Sequence, residues 1–152
     1  MPISALSAAK RLCERSGWRL SNLEVQKLVY LAHMFYLGRT GWPLVDGHFE
    51  AWEYGPVHPA LYHRAKVFGS DPIQNIFHSV RDVDPGSGEA EILDEISESL
   101  SGCPSGRLVA ITHWEKGAWA RNYSPGARFV TIPNDDIKEE YMERERKFGS
   151  GR

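Results

Sequence analysis

The sequence predicts a mainly α-helical fold with a small β-hairpin: a compact single-domain helical bundle around a buried central helix at residues 21–37. Three observations predict it. Ser21 and Glu24 stand at capping-box spacing, and Leu28, Val29, Leu31, Ala32, Met34, Phe35 and Leu37 then make the run apolar on nearly every side, the pattern of an interior helix. Helical periodicity returns in several shorter segments. Between them, Asp46-Gly47 is flanked by apolar runs, a hairpin signal.

Taken in order, Ile3 to Ser16 reads as a first helix with Leu6, Ala9 and Cys13 on one side, capped by Ser4 or Ser7 and stopped by Gly17. Trp18 and Leu20 lie in the link to the central helix, which Leu20 and Val25 can staple at its start and Gly38 or Gly41 can end. Leu44-Val45 and Phe49 to Tyr54 then form a two-stranded ribbon about Asp46-Gly47, ended by Gly55-Pro56. Pro59 suits the first turn of a third helix with Leu61, Ala65 and Phe68 inward. Residues 70–87 read as a connection with one short helix, since Ile73, Ile76, Phe77 and Val80 have helical spacing between proline turns.

Ser87 to Ser99 is a fourth helix, with Ala90, Leu93 and Ile96 on one face and Glu91, Asp94, Glu95 and Glu98 on the other, which reads as solvated. Ser105 can cap a fifth helix through Leu108, Val109 and Thr112 that His113-Trp114-Glu115 closes, followed by an aromatic loop carrying Trp119 and Tyr123. Phe129, Val130 and Ile132 form an extended piece, and Asn134 or Asp135 caps a last helix from Asp136 to about Lys147. We expect one domain over 1–146 and a disordered tail over 147–152.

Composition narrows the function. The chain has 18 basic and 20 acidic residues and a formal net charge of −2, so no basic face for nucleic acid is expected. No apolar run is long enough for a membrane span, and the start, MPISALSAAKRLCERSG, lacks the core of a signal peptide. Two cysteines, Cys13 and Cys103, suit free thiols in a reducing compartment, so the cytoplasm is expected. The six histidines, His33, His48, His58, His63, His78 and His113, show no helical metal-ligand pair, and no C-x-x-C, phosphate loop or nucleophile elbow occurs. Glu50 and Glu53 would point to opposite faces of a strand. No metal, cofactor or catalytic residue is therefore expected, and the reading is not an enzyme.

What remains are motif residues. Ser21-Asn22-Leu23, Gln26-Lys27-Leu28 and Tyr30, then Glu50-Ala51-Trp52 and Tyr54-Gly55-Pro56-Val57 with Pro59, then Thr112-His113, Glu115 and Trp119, resemble the Panacea domain, the SocA-like antitoxin domain also found in phage-associated GepA-like proteins. The resemblance runs from about residue 5 to residue 142. Val25 departs from the family's usual leucine, Ala118 stands where the family prefers proline before Trp119, and Lys116-Gly117 lengthens the turn. The resemblance implies a mainly helical fold with a small β element. It also implies an antitoxin that neutralises a cognate protein toxin, commonly encoded in the adjacent gene, by direct binding, and in SocA-like members delivery of that toxin to an AAA+ protease as an adaptor.

Within the motifs, Ser21, Glu24, Gln26, Lys27, Tyr30 and Trp52 are assigned structural roles. The partner-binding surface is assigned to Tyr54, Gly55, Pro56, His58, His113, Trp114 and Trp119. Gly-Pro makes a rigid turn, a rigid loop loses little entropy on binding, and aromatic residues with polar tips are favoured anchors. The acidic face of the fourth helix is the next candidate, complementary to a basic partner. Two other classes are carried alongside: a hydrolase-like or small-molecule-binding enzyme using Tyr54 and His113, and a DNA-binding autoregulator of its own operon. Net charge and the lack of an appended helix-turn-helix weigh against the second. Homo-oligomerisation is left open.

Overall fold

A computed structural model describes residues 2–100, 102–127 and 129–149. Its axis is α2 (Asn22–Thr40). The capping box forms as its spacing predicts: Ser21 N donates to Glu24 Oε1 at 2.9 Å and Glu24 N to Ser21 Oγ at 3.3 Å. Val25, Leu28, Val29, Tyr30, Leu31, Ala32, Met34 and Leu37 are all buried, so most of the helix surface is interior, and the helix continues through Gly38 to Thr40. Five helices pack around it: α1 (Ala5–Ser16), α3 (Pro59–Ala65), α4 (Gly88–Leu100), α5 (Ser105–Thr112) and α7 (Asn134–Arg144). At Gly38 the approach of α7 is so close that the Tyr141 ring occupies the place a Cβ would take. The short α6 (Ala118–Asn122) bridges α7 and the sheet. Among the described residues, no helix is long and apolar enough to cross a membrane.

The fold is mainly α with a small β element, as predicted, but the β element is wired differently. Strands β1 (Phe49–Trp52), β2 (Gly55–Val57) and β3 (Thr131–Ile132) form an antiparallel sheet in the order β2-β1-β3. Trp52 faces Gly55 across a two-residue loop, Glu53-Tyr54, so Gly55-Pro56 begins the return strand and is not a terminating turn. The expected ribbon about Asp46-Gly47 does not form. Leu44 O accepts from Ile3 N and Asp46 N donates to Ile3 O, both at 2.9 Å, so the residues just after the chain start claim the main-chain groups that the ribbon would have used. β1 lies on α2 through Phe49, whose ring meets Tyr30 edge-on at 5.3 Å and His33 at 5.2 Å.

Other boundaries also move. Residues 70–87 hold no helix. Ile73 and Phe77 still reach the core, but side chains of α1 take the carbonyls that a helix would have used: Ser7 Oγ donates to Arg81 O at 2.7 Å and Lys10 Nζ to Val80 O at 3.0 Å. Ser87 caps α4 by accepting from Ala90 N. The acidic face of α4 is partly neutralised, because Asp94 accepts from Arg11 and Arg15 and Glu95 from Arg39. Ser105, Asn134 and Asp135 are not caps: prolines 104 and 133 flank α5 and α7 and neither helix has a side-chain cap. Of the expected tail, Lys147–Gly149 belong to a π-helical turn, Glu145–Gly149, that follows α7, and 150–152 lie outside the described residues.

Candidate functional site

The first motif puts Gln26 and Lys27 one residue apart on α2, where both face the outer edge of β2. The Gln26 amide takes both main-chain groups of one residue: His58 N donates to Gln26 Oε1 at 2.8 Å and Gln26 Nε2 donates to His58 O at 3.4 Å. Lys27 Nζ donates to Pro56 O at 3.1 Å. An edge strand presents unpaired main-chain groups, and here helix side chains stand in for the missing neighbour strand. The two motif segments fit together because one supplies side-chain donors and an acceptor and the other a bare main chain.

Lys27 is 0% exposed. Burial pulls its ammonium down to about 7, far below the ordinary lysine range. Its neighbour is Gly55, at φ 117, where a methyl group would lie 2.9 Å from Lys27 Nζ and 3.3 Å from His113 Cδ2. Only glycine fits there, by conformation and by space. Gly55 therefore brings the hairpin and the Thr112–Trp119 loop together. The His113 ring stacks flat on Trp119, with centroids 3.9 Å apart at 2°, and Trp119 stacks on Tyr123 at 4.7 Å. Trp119 Nε1 donates to Trp52 O at 2.6 Å, tying the loop to β1. His113 Nε2 is buried and finds no hydrogen-bond partner among the described residues. Burial is the main force lowering the His113 pKa; a main-chain hydrogen bond with Tyr54 opposes it and the Lys27 charge adds to it.

A second network holds the loop from behind. The Glu140 carboxylate on α7, 0% exposed, accepts from Tyr30 Oη at 2.6 Å, from Ala118 N at 3.0 Å and from Arg144 Nε at 2.9 Å. Arg144 also donates to Ile111 O at 2.7 Å. Ala118 is thus an N–H donor to this carboxylate, and Gly117 leaves room for it: a methyl group there would sit 3.0 Å from Glu140 Oε1.

The assigned surface residues divide. Tyr54 is 64% exposed at the hairpin tip, while His113 and Trp119 are half-buried in the stack. Gly55 and Pro56 are buried in β2. His58 is 3% exposed and lies inside the fold; its Nε2–H donates to Asp46 O at 2.8 Å, and its ring meets Phe49 edge-on. Trp114 sits apart from the stack, beneath the Arg144 guanidinium at 4.8 Å and beside Phe148. Trp52 donates Nε1–H to the buried carboxylate of Glu50 at 2.9 Å, and that carboxylate also meets His48 at 3.0 Å. Tyr54 reaches His113 through its main chain. Among the described residues, no three His, Cys, Asp or Glu side chains gather to hold a metal.

Sequence reasoning missed Glu140, Arg144 and Phe129. Phe129 is 72% exposed at φ 61 and lines an open groove of about 380 Å³ with Ala51, Trp52, Glu53 and Ala127, next to the hairpin tip. An exposed phenylalanine in a left-handed conformation is rare, and no local sequence pattern announces it.

Residues 25–120 match the family model described as antitoxin SocA-like, Panacea domain. Antitoxin SocA of Caulobacter vibrioides (strain NA1000 / CB15N) is 34% identical over 113 residues, which cover 66% of this chain and 58% of that protein. The match therefore spans less than two thirds of the relative's length. No solved structure matches the chain.

Proposed function

The chain belongs to the SocA-like antitoxin family of the Panacea domain, and from that premise we propose that it is an antitoxin that neutralises a protein toxin by binding it directly. The contact face is the hairpin tip together with the adjoining aromatic loop. The observation that carries this reading is the convergence of two distant motifs on Gly55, beside exposed Tyr54 and Phe129. The face is held on both sides, by Gln26 and Lys27 at the hairpin and by Glu140 at the loop. A pre-formed face loses little entropy on binding, and exposed aromatic side chains on it act as anchors. In this reading Tyr54, Trp119 and Phe129 touch the toxin, while Gly55, Pro56, His58 and His113 support them from beneath.

The test pairs the chain with the protein encoded in the adjacent gene. Replacing Tyr54→Ala together with Phe129→Ala weakens toxin affinity in calorimetry by ~2 kcal/mol or more for each anchor lost. Circular dichroism serves as the folding control. Unchanged affinity in a folded double variant moves the contact face elsewhere, with the exposed acidic residues of α4 next in line. The proposal extends to a cytoplasmic site of action and to delivery of the bound toxin to an AAA+ protease, which would appear as a shorter toxin half-life when antitoxin and protease are both present.

A further inference from the structure

We propose that the Gly55 junction is a proton-operated latch on the partner-binding face: proton uptake by Lys27 or His113 loosens the hairpin from the Thr112–Trp119 loop, and proton loss tightens it. The proposal concerns regulation of the contact face and rests on the functional reading above for what that face does.

The geometry carries it. Two side chains that become cations meet over the same bare Cα: Lys27 Nζ and His113 Cδ2 would lie 2.9 and 3.3 Å from a methyl group at Gly55. Lys27 is fully buried and, among the described residues, has one partner, the Pro56 carbonyl at 3.1 Å. His113 Nε2 is buried without one. A carbonyl solvates an ammonium only partly, and a buried charge without a counter-charge is costly.

Among the described residues, no carboxylate compensates. Glu140 on α7 is committed to Tyr30, Ala118 and Arg144. Glu50 on β1 is committed to His48 and Trp52. Glu24 on α2 caps its own helix, and His58 after β2 donates to Asp46 O. Glu53 and the Tyr54 side chain at the hairpin tip, and Glu115 in the loop, are exposed. With both groups charged, two cations would repel across one glycine in a dry contact. Burial brings Lys27 down to about 7 and also lowers His113, so the junction changes charge near neutrality.

Loosening has a defined path. The His113 ring is stacked on Trp119, and the Trp119 indole is bonded to Trp52 O. Displacing His113 from Gly55 therefore pulls on the bond that ties the loop to β1.

The experiment uses the chain alone, so its failure leaves the antitoxin reading standing, and loss of toxin binding in the separate assay leaves the latch standing. Carbon and proton shifts of the lysine side chains are followed by NMR from pH 6 to pH 11. Lys27 is expected to titrate near 7, far below the other lysines. Exchange of the Trp119 indole N–H, corrected for its intrinsic rate, is measured from pH 6 to pH 8. Its protection is expected to rise roughly tenfold from pH 6 to pH 8 in the native chain, the effect of one linked pH unit, and to stay level in Lys27→Met. Should that variant not fold, Lys27→Gln carries the same comparison, and the native lysine titration needs no variant. Lys27 titrating with the other lysines, or protection rising equally in the variant, overturns the latch.

Discussion

Two buried polar groups flank the Thr112–Trp119 loop, and they are wired in opposite ways. Glu140 is a buried carboxylate with an arginine, a hydroxyl and an amide around it. Lys27 is a buried amine with a single carbonyl. The first network is closed: each acceptor site of the charge finds a donor. The second is open: the amine is held but its charge is not answered. A closed network locks geometry at the cost of severe damage when one member is lost. An open one remains responsive, because its charge state is not fixed by a partner. The loop is thus fixed from the α7 side and adjustable from the β2 side.

The largest test of this contrast is Glu140→Ala. It strands Arg144, Tyr30 Oη and Ala118 N at once, and the expected loss is ~3–5 kcal/mol in denaturant unfolding. A loss below ~1 kcal/mol would mean that the network is decorative.

The next effect is the pH dependence of stability. Unfolded lysine keeps its proton to ~10.4, whereas folded Lys27 sheds it at about 7, so between these values the unfolded chain binds more protons. Stability therefore rises with pH from 7 toward 9, by up to ~1.4 kcal/mol per unit. Above ~9 the trend reverses, because burial pushes the Cys13 thiol up to about 12 and holds the Tyr30 hydroxyl protonated while the unfolded chain loses those protons. On the acid side, His33 is pushed down to about 4 by burial, and His58 and His113 are lowered as well. Stability falls there too as pH drops below ~6.5. A maximum between pH 5 and 7 in unfolding midpoints would contradict the open network.

Smaller is Ala118→Pro, which removes one donor to Glu140 at the first position of α6, where proline is tolerated. About 1 kcal/mol is expected, and a loss as large as that of Glu140→Ala would show that the amide, not the arginine, is the main partner. Smallest is Lys27→Met at pH 7. Relief of the buried charge offsets the Pro56 carbonyl left without a donor, and stability stays within ~1 kcal/mol of the native chain. The same variant should flatten the rise between pH 7 and 9.

The capping box at Ser21 and Glu24 and the interior character of α2 were legible because both are local: a fixed spacing and an apolar run. The hairpin was misplaced because Asp-Gly is a strong local turn signal, whereas the true loop, Glu53-Tyr54, is settled by Gln26 and Lys27 lying across from β2. The helical spacing of Ile73, Ile76, Phe77 and Val80 misled because each apolar residue in an irregular segment can reach the core singly once Ser7 and Lys10 supply donors. Glu140 and Arg144 were invisible. Four residues apart on a charged helix, they resemble an ordinary solvated pair, and the partner that buries them, Tyr30, is 110 residues away. The surface assignment suffered similarly: His58 has the composition of an anchor, but its main chain is already claimed by Gln26.

The latch of Gln26 and Lys27 on β2 also bears on aggregation. A three-stranded sheet has two edges, and an exposed edge is a template on which a foreign strand can grow. The α2 side chains occupy the β2 edge at Pro56 and His58, and at the other edge β3 is only two residues long. A chain that exposes aromatic side chains such as Tyr54 and Phe129 runs the risk of recruiting copies of itself. Here the sheet beneath those side chains offers a foreign strand little length to pair with, so stickiness is confined to side chains, where shape can discriminate, and kept away from main chain, where it cannot.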